Sequence, residues 1–363
     1  MKAIHQKEKE STALNRSKLL SIIPRELFKP NVKKYVLDMI LSSLTSQLMI
    51  LGACKILSLT ESSISPYWVY SAGLVMCILA AFPTYKSCLF IHEAVHQIPN
   101  MPFIAWFYNL VNGFVNRMPF YAYTPHLRHH MPENYGTLQD PEYDYLASYS
   151  VAFNFVVAPI VSSFASAVFV FIRFGLIPFL LPFVGSSARN FIFRFASTLV
   201  MNPKYDRGLP MNQTERWNWY SQDFGCAVWT CLLMMALHWN WIGVNYLLVN
   251  FMVTFCTFLV NYYRAIMAHR YFADGRCTFT RKQMILDSVN YENDSFWSEM
   301  FFPFSLNYHG LHHVFPNIPY HSLKKVHSII MEYIEKQDPN HPYKYTVVKS
   351  YWNAVALQAN GEM

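Results

Sequence analysis

Histidine is the residue whose number and spacing point most directly to chemistry in this sequence. The chain has 14 histidines, and nine of them fall in HEAVH, HLRHH, the single histidine of RAIMAHRYF, and HGLHH. Imidazoles are unfavourable to bury side by side unless their nitrogens have partners, because each brings polar atoms and, when protonated, a repelling charge. The grouping therefore predicts a metal site. The nine candidate ligands are His92, His96, His126, His129, His130, His269, His309, His312 and His313.

The spacing within the three motifs indicates how the ligands are shared. The first and last histidines of each motif are four residues apart and lie on one helical face, so each pair can aim at one point. The adjacent histidines that end the second and third motifs diverge by about 100° on a helix, as ligands of two separate ions would. Zinc normally accepts four ligands, and magnesium and calcium prefer oxygen, so a set this rich in nitrogen favours a dinuclear iron centre.

Two other interpretations of the histidines stay open. HEAVH also satisfies H-E-x-x-H, in which two histidines bind zinc and the glutamate, here Glu93, activates water; a membrane metalloprotease would carry such a helix. The second alternative interpretation is a metal or lipid carrier that catalyses no reaction. The histidines outside the motifs are predicted to be ordinary hydrogen-bonded packing residues: His5, His238, His321, His327 and His341.

The composition of the chain indicates a membrane protein. Of 363 residues, 53% are hydrophobic and only 14% are charged, and the mean hydropathy is +0.13. Spanning hydrocarbon takes roughly 20 apolar residues. The predicted spans are 35–54, 66–91, 224–243 and 244–266. A further apolar region, 151–184, is interrupted by Arg173 and three prolines, and is predicted to be interfacial or re-entrant.

The charge distribution predicts the orientation of these spans. The first 34 residues carry nine Lys or Arg against three Glu, which places the N-terminus in the cytoplasm by the positive-inside rule, and they lack a secretory signal. Counting spans from there puts all nine grouped histidines on the cytoplasmic face and His238 on the opposite one. The predicted organisation is a basic segment at 1–34, a membrane domain at 35–325, and a cytoplasmic amphipathic helix and tail at 326–363.

The net charge of +7 is consistent with this topology and with binding to anionic lipid. A nucleic-acid partner is not expected, because the sequence does not show the basic groove with stacking aromatic residues that such a partner requires. The seven cysteines form no C-x-x-C pair and read as small buried apolar residues.

The three motifs together resemble the histidine boxes of the membrane fatty acid desaturase superfamily. HEAVH, HLRHH and HGLHH match its H-x(3–4)-H, H-x(2–3)-H-H and (H/Q)-x(2–3)-H-H patterns, in order and with intervening spans. The similarity continues in DPEYD after the second box, in FPNIPYHSL after the third, and in YYRAIMAHR, which is similar to a helix that supplies a further histidine in many members. The likeness runs from about residue 66 to 325.

This resemblance implies an all-α integral membrane protein with four core transmembrane helices. It also implies a histidine-lined cytoplasmic cap that holds two iron ions, with both termini cytoplasmic, in a bacterial inner membrane or the endoplasmic reticulum. The implied activity is O₂-dependent oxidation of a C–H bond in a long-chain acyl lipid, with desaturation as the leading outcome and hydroxylation, ketolation or oxidative decarboxylation to a terminal alkene as the alternative. The acids expected to hold the ligating imidazoles are Glu93, Asp140, Glu142 and Asp144.

Two departures from the family pattern leave the reaction outcome open. Many members have a glutamate just before the last two histidines and just before the lone one, where this chain has Leu311 and Ala268. Another branch places asparagine four residues before the lone histidine, where this chain has Ala265.

Electrons are expected from outside the chain. No H-P-G-G segment marks a fused cytochrome b5, no G-x-G-x-x-G follows a strand, and no cysteine set suits an iron–sulfur cluster. The expected partners are therefore a ferredoxin, cytochrome b5 or similar donor with its reductase, besides the acyl lipid and the membrane.

Overall fold

The described part of the chain forms two compact units. The structure, a computed structural model, describes residues 16–61, 65–143, 150, 152–199, 202, 204–271, 278–292 and 295–350. The first unit comprises 1–30, 126–151 and 264–363, and the second comprises 31–125 and 152–263. Asp144 and His5, both named above, lie outside the described residues.

The second unit is built from helices of very different lengths. Its helices are α2 (Val32–Leu57), α3 (Pro66–Gln97), α4 (Ile104–Tyr108), α6 (Ala158–Val170), α7 (Ile177–Leu180), α8 (Ser186–Phe195), α9 (Gln213–His238) and most of α10 (Asn245–Ala268). π-helical turns cover Asn109–Gly113, Phe153–Val157 and Phe171–Leu176, and 3₁₀ turns cover Ser58–Glu61 and Phe120–Tyr123.

Local sequence sets the helix starts. The Asn31 side chain accepts a hydrogen bond from Lys34 N at the start of α2, and Asn212 does the same for Glu215 N at the start of α9. Pro66 occupies the first turn of α3, where its missing N–H costs no helical hydrogen bond.

The first unit holds shorter elements around one apolar core. Its helices are α1 (Arg16–Ile22), α5 (His126–His129), α11 (Arg281–Asp287), α12 (Phe296–Phe301), α13 (His309–Val314) and α14 (Tyr320–Gln337), with 3₁₀ turns at Arg25–Phe28, Pro303–Ser305 and Pro342–Thr346. Strands β1 (Asn290–Tyr291) and β2 (Val347–Val348) pair in parallel. The predicted amphipathic helix is present as α14, and Leu323, Val326 and Ile330 of its apolar stripe are fully buried in this core.

Four helical runs of the described chain are long and apolar enough to cross a membrane: Arg25–Thr60, Pro66–Gln97, Phe153–Leu180 and Asn245–Ala268. Three of them contain the predicted spans 35–54, 66–91 and 244–266, except that 244 precedes the helix by one residue. Of the four, the run Phe153–Leu180 contains the most apolar stretch.

The structure differs from the sequence prediction at two of these places. The region 151–184 was expected to be interrupted, but a helical run covers Phe153–Leu180, because Pro159 and Pro178 stand in the first turns of α6 and α7. The predicted span 224–243 instead lies mostly in α9, which starts earlier and ends at His238 and is not among the four apolar runs.

A buried ion pair accounts for the charges in these two regions. The guanidinium of Arg173 donates to Asp223 Oδ2 at 3.0 Å, to Tyr121 Oη at 2.9 Å and to Ser197 Oγ at 2.7 Å. Arg173 and Asp223 are 1% and 2% exposed, so the arginine does not interrupt the apolar run and the aspartate lowers the hydropathy of α9.

Aromatic residues mark the links predicted to face the outer side. Tyr67, Trp68 and Tyr70 at the start of α3 and Trp239 and Trp241 after α9 are all at least half exposed. Such residues are enriched where helices leave the hydrocarbon. Their positions fit two helix ends at a membrane–water interface.

Candidate metal centre

The second histidine motif forms helix α5 and the residue after it, and two acids hold its imidazoles. His129 Nδ1 lies 2.9 Å and 3.0 Å from the two Asp140 carboxylate oxygens, and His126 Nδ1 lies 2.8 Å from Glu142 Oε1. Asp140 also accepts from the backbone N–H groups of Gly136 and Glu142, each at 2.9 Å, which fixes the carboxylate. Two of the four acids predicted from the sequence therefore contact ligand candidates.

These contacts fix which nitrogen of each ring carries hydrogen. A carboxylate can only accept, so His126 and His129 donate through Nδ1–H, and in the neutral form of each ring the lone pair then lies on Nε2. Burial would raise the pKa of Glu142, but the His126 imidazole beside it holds that pKa well below its usual range. Both rings are buried, so their Nε2 lone pairs face the interior of the first unit.

The lone histidine and the third motif are held by one short segment. His269 follows the end of α10, and its neighbours pair with the segment 287–290: Arg270 N donates to Asp287 O at 2.7 Å and Val289 N donates to Ala268 O at 3.0 Å. The same segment holds α13, because Gly310 N donates to Val289 O at 2.9 Å and Leu311 N donates to the Asn290 side chain at 2.9 Å.

Four imidazoles converge in the first unit. The Nε2 atom of His269 lies 3.2 Å from that of His129 and 3.0 Å from that of His309, and the Nε2 atoms of His309 and His313 are 3.1 Å apart. One nitrogen from each of the four rings lies within 4.8 Å of the others, and all four residues are buried.

A second group lies in the same unit. His126, His130 and His312 each offer a nitrogen within 4.8 Å of the other two, and the Nε2 atoms of His126 and His130 are 3.0 Å apart. In the second and third motifs the adjacent histidines thus fall in different groups, and the histidines four residues apart fall in the same group. This is the division that the helical spacing predicts.

The electrostatics favour metal binding over a hydrogen-bonded histidine cluster. Burial, reinforced by the neighbouring imidazoles, lowers the pKa of His269, His309 and His313 well below the usual range, so these rings are neutral and carry lone pairs. Asp140 raises the pKa of His129, but in its neutral form this ring too carries a lone pair on Nε2, 3.2 Å from the Nε2 of His269, and two lone pairs cannot bond to each other. Nitrogens about 2.1 Å from one ion and at right angles lie about 3 Å apart, so the donor set fits a metal ion.

His92 and His96 lie in the second unit, in the last turns of α3. They are 0% and 3% exposed, and their ring centroids are 5.5 Å apart. Glu93, between them, accepts a hydrogen bond from Tyr35 Oη at 2.8 Å. The structure thus shows a tyrosine contact of Glu93.

Of the histidines predicted to be packing residues, His327 and His341 are buried and hydrogen-bonded. His327 contacts Tyr343 Oη at 2.7 Å and Glu292 at 3.0 Å, and His341 Nδ1 accepts from Tyr343 N. His321 contacts the Ser322 hydroxyl, and His238 is exposed at the end of α9. Among the described residues, neither metal-type group includes any of them.

Two residues of the site have no counterpart in the sequence prediction. Tyr135 Oη donates to Asp287 Oδ2 at 2.6 Å and lies 2.8 Å from His269 Nδ1. A signal exists for one of them: Asp287 is a single acid in the run MILDSV, and an isolated acid among apolar residues indicates a buried, paired carboxylate.

Comparison with known proteins agrees with the three motifs. The sequence model of the fatty acid desaturase family matches residues 67–345. A curated relative, a ceramide hydroxylase of Caulobacter vibrioides (strain NA1000 / CB15N), is 28% identical over an alignment of 323 residues that covers 85% of this chain and 84% of the relative. Since the match to the family spans all the histidine motifs and most of the chain, this protein belongs to the fatty acid desaturase family.

Proposed function

We propose that the chain is an O₂-dependent, non-haem diiron oxidoreductase that acts on the hydrocarbon chain of a membrane lipid. The observation that carries this proposal is the convergence of Nε2 atoms from His129, His269, His309 and His313 at separations of 3.0 to 3.2 Å. Neutral imidazoles in such numbers suit iron better than zinc or an alkaline-earth ion.

The proposal assigns the eight histidines of the three motifs and the lone His269 as iron ligands. Iron bound in this way would supply activation of O₂ for attack on an unactivated C–H bond. The protein's own part is to hold the ligands: Asp140 and Glu142 keep the Nδ1 protons of His129 and His126 in place, so the Nε2 lone pairs stay directed at the metal. Electrons come from a separate donor protein, as expected from the sequence.

Hydroxylation of a long-chain, amide-linked lipid is the first outcome proposed. It is supported by the ceramide hydroxylase relative, whose similarity covers nearly the whole of both chains. Desaturation of a fatty acyl chain is the second outcome, supported by the family match. Both outcomes use the same centre and begin with cleavage of an unactivated C–H bond, so the same ligand geometry serves both. The zinc protease alternative loses its basis, since the chain belongs to a family of lipid-modifying oxidoreductases.

The metal composition tests the centre itself. We expect two iron ions per chain in protein purified from iron-supplemented cells, measured by elemental analysis. A single zinc ion per chain would overturn the diiron proposal.

The lipid product tests the reaction. Cells that express the protein should accumulate a lipid that has gained one oxygen atom, for hydroxylation, or lost two hydrogens, for desaturation, measured by mass spectrometry of extracted lipids. A His312→Ala variant should make neither, because it removes a buried member of the second histidine group. Equal product from the variant and the parent would contradict the assignment.

A further inference from the structure

Tyr135, Asp287 and His269 form a chain of hydrogen bonds inside the first unit. Tyr135 Oη lies 2.6 Å from Asp287 Oδ2 and 2.8 Å from His269 Nδ1, while Asp287 Oδ2 itself lies 3.8 Å from that nitrogen. The three side chains are 0%, 0% and 7% exposed. The tyrosine hydroxyl therefore stands between the acid and the imidazole.

The direction of each hydrogen bond follows from the groups present. A phenol has one hydrogen, and a carboxylate can only accept, so Tyr135 gives its hydrogen to Asp287. The hydroxyl oxygen is then left as the acceptor for His269, which must donate through Nδ1–H. The Nε2 atom of His269 consequently keeps its lone pair, and that atom is the one that faces His129 and His309 at 3.2 and 3.0 Å.

The backbone holds the acid and the imidazole in register. Arg270 N donates to Asp287 O and Val289 N donates to Ala268 O, so His269 and Ser288 face each other as an antiparallel bridge. Tyr135 is held by its backbone N–H, which donates to Met131 O. Its ring packs against the ring of His129, with the two ring centroids 5.0 Å apart. The three side chains thus come from three separate parts of the chain.

We propose that Tyr135 and Asp287 are positioning residues that fix the tautomer and orientation of His269, so that its Nε2 binds metal. This inference rests on the diiron centre proposed above and assigns a role to two residues outside the histidine motifs. Hydrogen-bond partners of metal-binding histidines typically change metal affinity by about 10- to 100-fold when they are removed. Tyr135→Phe should therefore weaken metal binding without removing any ligand.

Cobalt(II) titration of the metal-free full-length protein in detergent tests the proposal. We expect the wild type to bind two equivalents, with visible absorption that reports ligand number. In Tyr135→Phe the dissociation constant of one equivalent should rise by about 10- to 100-fold, while the other is unchanged. Asp287→Asn should weaken the same equivalent, because an amide can also donate to the tyrosine and so no longer fixes the direction of the hydrogen bonds.

Tyr343→Phe is the matched control. It removes a tyrosine–histidine contact of 2.7 Å, to His327, between two buried residues of the same unit that are outside both histidine groups. It should leave both cobalt equivalents unchanged, and the thermal unfolding of each metal-free variant shows whether it is folded.

Three results would overturn the inference. Wild-type affinity in Tyr135→Phe would show that the hydroxyl does not act on the site, and wild-type affinity in Asp287→Asn would remove the aspartate from it. Equal weakening in Tyr135→Phe and Tyr343→Phe would assign the effect to packing. A wild-type protein that binds fewer than two equivalents would instead overturn the dinuclear centre itself, and this inference with it.

Discussion

At the scale of single residues, the packing around the third motif leaves no room for a side chain larger than that of glycine at position 310. Gly310 lies inside the third motif, and a Cβ atom there would stand 2.8 Å from the Asn290 amide nitrogen and 3.1 Å from its Cγ. Asn290 cannot easily move away, because its side chain accepts from Leu311 N and donates to Thr346 Oγ1. Glycine at position 310 thus lets the segment 287–290 approach α13 closely.

Gly310→Ala is expected to destabilise the protein and loosen the third motif. Forcing a methyl group into a packed interior typically costs about 1 to 3 kcal/mol. We expect a lower thermal midpoint and less iron per chain than in the parent, measured by unfolding and elemental analysis. Gly185→Ala is the control, because its added Cβ would have no neighbour within 4 Å. A Gly310→Ala protein with unchanged midpoint and iron content would contradict this account.

At the scale of elements, the second unit depends on a buried ion pair between two helical runs. Arg173 lies in the π-helical turn Phe171–Leu176, and Asp223 lies in α9. The pair is nearly unexposed, and Tyr121 and Ser197 hydrogen-bond to the arginine. A buried charge without its partner is strongly unfavourable, so these two runs are held in one relative position.

Asp223→Asn should cost about 3 to 5 kcal/mol of unfolding free energy, because it leaves the Arg173 charge uncompensated. The double variant Arg173→Met with Asp223→Leu should recover much of that loss, since it removes both charges. Unfolding in detergent measures both.

A second ion pair provides the comparison for this experiment. Asp206→Asn breaks the pair with Arg194, whose partners are 45% and 30% exposed, and should change stability by less than about 1 kcal/mol. If Asp223→Asn were as mild as Asp206→Asn, the buried pair would not have the structural role assigned to it.

At the scale of the whole molecule, the remaining question is orientation. The basic N-terminal segment and the apolar runs predict that the N-terminus and the nine histidines face the cytoplasm. The same count of spans places the 3₁₀ turn Ser58–Glu61 on the outer side.

Single cysteine substitutions test this topology. Ser58 and Ser21 are both exposed on the protein surface. A membrane-impermeant maleimide added to sealed vesicles with the outer face outward should label Ser58→Cys beyond the background of the native cysteines. Ser21→Cys should react only after the vesicles are opened. The opposite pattern would show that the predicted orientation is inverted.

The sequence by itself determined the identity of the histidine groups and three of the apolar runs. Metal ligands are recognisable in a sequence because only a few residue types bind metal, and because a spacing of four places two of them on one helical face. Apolar runs are recognisable because hydrocarbon thickness fixes their length. Asp140 and Glu142 could also be predicted from the sequence, since they lie only 11 and 16 residues from the histidines they contact.

Only the tertiary structure decided the partners that are remote in the chain. Tyr135 and Asp287 are 152 residues apart, and Arg173 and Asp223 are 50 residues apart. No local period links such residues, because their contact depends on how separate helices pack and not on the geometry of one helix. The sequence prediction therefore treated Arg173 as an interruption of 151–184, and it missed the two residues that contact His269. Burial makes each of these polar groups require a partner, and the fold supplies it from a distant part of the chain.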